Sequence, residues 1–124
     1  TAWSVAVAMP WSSAWSKNRM WLLRQDGGRY LNPEYAAERD ALVILLKHAI
    51  LTAKVIICPR RKVQVSIFVC KPNHRGDAAN YLDGILDAVE RAIGVNDRWF
   101  CGDWDWAIDV KNPKIIVKVG QDGD

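Results

Sequence analysis

The chain has 124 residues, half of them hydrophobic, which suits one domain with a real core and leaves no room for two. Its formal net charge of +3 is unevenly placed: residues 1–76 hold 12 Lys/Arg and 4 Asp/Glu, a net of +8, and residues 77–124 hold 5 and 10, a net of −5. No run of about 18 apolar residues occurs, which excludes a membrane-spanning helix, and the three cysteines (Cys58, Cys70, Cys101) lack framework spacing, which argues against a disulfide scaffold and for reduced thiols in a cytoplasmic setting.

The chain opens on Thr1 with no visible secretory signal, which suggests a trimmed N-terminus. Residues 3–8 alternate and predict a first strand, stopped by Met9-Pro10. Gln25-Asp26-Gly27-Gly28 predicts the tip of a hairpin between residues 20–23 and 29–31. Asn32-Pro33 supplies a cap and a first helical residue, so a helix is expected over 33–53, with Tyr35, Leu42, Leu45, Leu46, Ala49 and Ala53 as its buried stripe. Arg60, Arg61 and Lys62 form a basic loop, and Val63, Val65, Ile67 and Val69 alternate with Gln64, Ser66 and Phe68 as a strand. A second basic loop, with Lys71 and Arg75, leads into an acidic helix over 78–93 that Gly94 ends. Residues 103–110 alternate strictly, Asn112-Pro113 turns the chain, and 114–119 form the last strand, with a tail over 120–124 expected to fray. This order predicts a single α+β domain over 1–124: a two-layer mixed sheet of about four main strands, with two helices packed on one face.

The acidic helix is the most informative segment. At 100° per residue from Asp77, Asn80 falls at about 300°, Asp83 at about 240°, Asp87 at about 280° and Gly84 at about 340°, while the apolar residues from Tyr81 to Ile93 fill roughly 20° to 180°. One face is core, and the other is a carboxylate stripe with a glycine gap. Stacked like charges cost a few tenths of a kcal/mol unless something cationic sits among them, and Mg²⁺ prefers carboxylate oxygens. Asp77 opens the helix, Asn80 adds a neutral oxygen one turn on, and Asp97 follows the C-terminus in a loop expected to fold back toward the sheet. A metal there can polarise a phosphodiester and generate hydroxide. The simpler readings are a helix cap for Asp77, a turn residue for Asp97 and a solvated face for Asp83 and Asp87. A basic half that grips phosphates joined to an acidic half that holds metal suits a nuclease; the alternative is two solvated surfaces meeting across the fold.

Taken together, the order and spacing of several short motifs resemble the RusA-type Holliday junction resolvases, over most of the chain. Pro10-Trp11-Ser12-Ser13 with Lys17-Asn18-Arg19 is similar to the family's Pro-x-Ser loop and following Asn-Arg. Gly76-Asp77-Ala78-Ala79-Asn80 resembles its Asp-x-Asp-Asn signature, Leu86-Asp87-Ala88-Val89 its helix core, and Asn96-Asp97 its Asp-Asp pair. Three departures stand out. Ala79 replaces a metal-binding acid, Asp83 stands where the family often has lysine, and Asn96 replaces the first acid of the pair. The resemblance implies a homodimeric endodeoxyribonuclease that nicks four-way DNA junctions with Mg²⁺ or Mn²⁺. It assigns catalysis to Asp77 and Asp97, and metal binding to these two with Asn80. Asp83, on the same helix face, is a candidate replacement for the acid lost at Ala79. Lys17, Arg19, Arg60, Arg61, Lys62, Lys71 and Arg75 are the candidate DNA contacts. Trp residues of the 11–21 region are expected in dimer contacts, at the junction centre or in the core. The competing expectations are a junction-binding relative that no longer cuts, and an interaction module whose basic and acidic halves pair between subunits.

Overall fold

The computed structural model describes residues 2–123. Six strands and two α-helices follow in the order β1 (Trp3–Pro10), β2 (Trp21–Leu23), β3 (Arg29–Leu31), α1 (Pro33–Thr52), β4 (Val63–Lys71), α2 (Leu82–Ile93), β5 (Phe100–Ile108) and β6 (Lys114–Gln121). β2 and β3 form the expected hairpin, and the other strands make a four-stranded sheet in the order β1-β6-β4-β5. β6 runs antiparallel to both β1 and β4, whereas β4 and β5 are parallel neighbours, paired from Val63 opposite Phe100 to Lys71 opposite Ile108. A parallel pair needs a crossover long enough to return the chain to the starting end of the sheet. α2 is that crossover, so its N-terminus follows the end of β4 and its C-terminus precedes the start of β5.

The alternation in the strands sorts the two faces. Val63, Val65, Ile67 and Val69 of β4 and Ile115, Val117 and Val119 of β6 point into one core, joined by Val5 and Met9 of β1. Leu42 and Leu46 of α1 and Ile85, Ala88 and Val89 of α2 cover the same face, which is the expected two-layer α+β arrangement.

Several element ends differ from expectation for local reasons. β1 runs through Pro10, opposite Lys114, because an edge strand needs no donor on its open side. β6 continues to Gln121, so the tail does not fray up to that residue. The Gln121 side chain, 2% exposed, accepts from Trp3 Nε1 at 2.9 Å and from the Cys58 N–H at 3.0 Å, and donates to the Cys58 carbonyl at 2.8 Å. Asp124, the last residue of that expected tail, lies outside the described residues. β5 begins at Phe100, earlier than the alternation suggested. In α1, Leu45 and Ala53 of the expected buried stripe are exposed. The acidic helix begins as a 3₁₀ turn over Ala78–Tyr81 before α2 proper. At about 120° per residue, that turn rotates Asp77 by roughly 80° from the position a continuous α-helix would give it.

Candidate nucleic-acid interface

The segment between β1 and β2 is wound by its own serines. Ser12 Oγ accepts from the Ala14 N–H at 3.1 Å and Ser16 Oγ from the Asn18 N–H at 3.4 Å, each capping a short 3₁₀ turn. The Asn32 side chain donates to the Arg19 carbonyl at 2.8 Å and so ties this segment to the start of α1. Trp15 is fully buried and meets Tyr35 edge to face, 6.1 Å between centroids. Its indole N–H has no partner among the described residues, a cost of about 1–3 kcal/mol that apolar packing must offset.

Across from this segment lies the loop after β4. Lys71 is 5% exposed; its ammonium donates to the Gly76 carbonyl at 2.8 Å and sits 5.0 Å from the centre of the Trp106 ring. It therefore fastens the 72–76 loop and is not placed to contact DNA, contrary to expectation. Asn73 Oδ1 accepts from the Arg75 N–H at 2.9 Å, an Asx turn that presents Arg75 to solvent. Asp77 Oδ1 accepts from the Ala79 N–H at 3.1 Å and caps the 3₁₀ turn, as the capping alternative anticipated.

Together the two segments enclose an open pocket of about 320 Å³ in which Arg19, Arg75, Asn73, Asp77 and Asn80 converge. Arg19 is steadied by a 2.9 Å hydrogen bond from Nη1 to Ser13 Oγ. Trp11 and Tyr81 stack at one side of the pocket, 6.1 Å apart and 25° from parallel. Burial pushes the Tyr81 phenol above its usual value, which its Trp11 and Arg19 neighbours partly offset. The pocket is thus a cationic and amide-rich cradle with one carboxylate, chemistry that matches a phosphodiester backbone.

The remaining candidates fall elsewhere. Asp83 is exposed and does not line the pocket. Asp87 lies 3.1 Å from Arg91 and 3.8 Å from Arg39, so the stripe carries its own counterions. The glycine gap is filled from the protein side: a Cβ on Gly84 would lie 2.7 Å from Tyr35 Cε2 and 3.0 Å from Trp15 Cε3. Asp97 sits beyond the far end of α2, its N–H donating to Glu90 Oε2 at 2.8 Å. The 3₁₀ turn and α2 together span roughly 25 Å, so within one chain Asp97 cannot share a cation with Asp77; the loop folds back onto α2 and not toward the pocket. Arg60, Arg61 and Lys62 precede β4 and lie at Asp97's end of the sheet. Of the tryptophans near the start, Trp15 is core and Trp11 lines the pocket. Trp21 is 44% exposed, with the Arg29 guanidinium 4.6 Å from its ring centre.

Among the described residues no three His, Cys, Asp or Glu side chains are grouped to hold a metal ion. The pocket's side-chain oxygens are the Asp77 carboxylate, the amide oxygens of Asn18, Asn73 and Asn80, and the hydroxyls of Ser13, Ser16 and Tyr81. Mg²⁺ is commonly held by one or two carboxylates while substrate phosphate and water complete its octahedron. This donor set therefore fits a divalent cation only in company with a bound phosphate. Sequence reasoning missed Asn73, Ser16 and Tyr81 as pocket residues; Pro72-Asn73, a turn-forming pair, was the available signal for the first.

No protein-family model matches the chain, and no curated protein matches it significantly. Among the described residues no helix is long and apolar enough to cross a membrane.

Proposed function

We propose that this domain is a RusA-type, metal-dependent endodeoxyribonuclease that acts on four-way DNA junctions. The observation that carries the reading is the convergence of Arg19 and Arg75 with Asp77 and Asn80 in one open pocket. The two guanidiniums hold a backbone phosphate, Arg19 braced by Ser13 and Arg75 set by the Asn73 turn. Asp77, which caps the 3₁₀ turn, and Asn80, within it, line the same pocket. A divalent cation would be held by these two side chains together with the bound phosphate, and would supply charge neutralisation and a more acidic water. The Trp11–Tyr81 pair offers an aromatic wall to an unstacked base at the junction, a contact worth about 1–3 kcal/mol.

A second reading has its own observation. Asp77 is the single carboxylate in the pocket, with Ala79 beside it and Asp97 at the other end of α2. That poverty of ligands favours a protein that binds junctions without cutting them. One titration separates the two: cleavage of a synthetic four-way junction, a flap and a linear duplex against Mg²⁺ and Mn²⁺, with binding followed in parallel. Metal-dependent nicking of the junction that Asp77→Asn removes supports the nuclease. Binding without nicking supports the second reading, and absence of binding refutes both.

A further inference from the structure

The two edges of the main sheet differ. β1 ends on Pro10, a residue that blunts an edge, whereas β5 carries neither proline nor lysine. β5 is also exposed on both of its faces from Cys101 to Trp106. Its backbone direction follows from one bond: the Asp109 N–H donates to the Lys71 carbonyl at 2.7 Å, so odd-numbered residues turn toward β4 and even-numbered ones turn outward. Asp105 Oδ1 accepts from the outward Trp106 N–H at 2.8 Å and closes that end. The N–H and C=O of Gly102 and Trp104, and the Trp106 carbonyl, are left without a partner among the described residues.

The side chains along this edge are sorted by face. On the helix side, Gly102 leaves a gap between Phe100 and Trp104, a notch of about 160 Å³ closed by Leu82 and Leu86 of α2. Trp104 and Trp106 are each 44% exposed, and the Lys71 ammonium and His74 ring lie against Trp106. On the opposite face stand exposed Asp103 and Asp105. Among the described residues neither forms an ion pair; Asp103 only accepts from Ser66 Oγ, at 2.7 Å. A strand laid on this edge meets free backbone groups, apolar surface on one side and unneutralised carboxylate on the other. Strand addition takes its affinity from the main chain and its specificity from alternate side chains. A second copy of β5 does not match: antiparallel pairing centred on residues 103 to 105 sets aspartate opposite aspartate on one face, which is destabilising. We infer that the outer edge of β5, with the groove beside α2, docks an extended peptide segment of a partner protein in which basic and apolar residues alternate. The basic residues face Asp103 and Asp105, and the apolar ones face Trp104 and the Leu82–Leu86 notch. This does not rest on the nuclease reading and survives its failure.

The probe is a capped, fluorescein-labelled peptide of about nine residues in which lysine and valine alternate, long enough to cover the open stretch. It is titrated with the whole chain and followed by fluorescence anisotropy, and saturable binding is expected. A peptide of the same composition with its lysines grouped at one end should bind about ten-fold more weakly or worse, and one with glutamate in place of lysine should not bind. N-methylation of one alternate set of peptide residues should cost about ten-fold or more, and of the other set less than about two-fold, because only every second N–H faces β5. Asp103→Asn with Asp105→Asn keeps an accepting oxygen at both positions, and so the fold, and should weaken binding by about five-fold at low salt. Trp104→Ala should weaken it by about ten-fold. Absence of saturation, equal binding of the grouped peptide, equal effects of the two methylated sets, or an affinity untouched by the paired aspartate changes would each overturn the inference. So would a dimer of the chain alone that Trp104→Ala removes, since the edge would then belong to a second copy.

Discussion

At its N-terminal end α2 meets the rest of the molecule closely. Asp77 caps the preceding 3₁₀ turn, Gly84 admits Tyr35 and Trp15 to the helix backbone, and the serine-capped segment closes a pocket over Asn80. At its C-terminal end the helix stops on Gly94, with φ of 71°, and an exposed loop carries Asp97 and Arg98 into β5. Both ends offer an aspartate, an asparagine and an arginine close in sequence. At the first, a second segment of chain folds against these polar groups, and that is what turns loose polar side chains into a pocket. Composition alone does not make a site; convergence from separate parts of the chain does.

The widest gap between the two ends is expected in catalysis. Asp77→Asn keeps a capping oxygen and so the fold, but loses the pocket's only carboxylate. Junction cleavage should fall by about 10²-fold or more, since a metal ligand is worth several kcal/mol of transition-state stabilisation. Asp97→Asn should behave as an ordinary surface change. Equal losses in single-turnover assays would break the comparison, because they would require Asp97 to act in a site its own chain does not bring it to.

Stability should sharpen the contrast through two glycines of the same helix. At Gly84 an added methyl strikes two buried rings, and Gly84→Ala should cost about 1–3 kcal/mol by overpacking. At Gly94 a Cβ would find nothing within 4 Å, so Gly94→Ala should cost only the left-handed backbone conformation, about 1 kcal/mol. Urea unfolding of both variants reads the order, and a larger loss at Gly94 would contradict the packing described around Gly84.

DNA binding offers a third measure. Replacing Arg19 and Arg75 with alanine should lower the salt slope of junction binding by about 0.9 for each lost phosphate contact. Replacing Arg60 and Lys62, roughly 30 Å away along β4, should change it less. A drop of equal size would mean that the DNA runs the length of the sheet and touches both ends.

The smallest effect expected is on alkaline stability. Burial, and then Asp87, push the Tyr35 phenol above its usual value of 10.0, against the opposing pull of Arg39 and Arg91. The folded state therefore holds that proton more tightly than the unfolded chain. The resulting stabilisation is complete below pH 10.0 and is lost as pH rises through the raised folded value. Tyr35→Phe should flatten the decline of stability between about pH 9 and 11, whereas a steeper decline would remove Tyr35 from that role.

Local chemistry was legible in the residues themselves. Asn32-Pro33 started α1 where expected, Gln25 to Gly28 turned a hairpin, Gly94 ended α2, and the alternation in β4 separated its buried side chains from the others. These features depend on neighbours a few residues apart, so periodicity and turn chemistry suffice. α1's burial was harder to read, because a helix apolar on two sides does not say which side its own chain covers. The pocket was half legible: Asp77 and Asn80 stood out on the acidic segment, but their meeting with Arg19 depends on how the 11–19 segment folds over α2. The place of Asp97 was decided by the sheet alone. With β5 parallel to β4, the connecting helix must carry the chain back to the opposite end of the sheet, and Asp97 goes with it. An antiparallel pairing would have returned the chain at Asp77's end. Strand alternation has the same period in either direction, so the residues determined the elements and their faces, while the direction of one strand pairing, a non-local choice made by packing, decided which acids share a site.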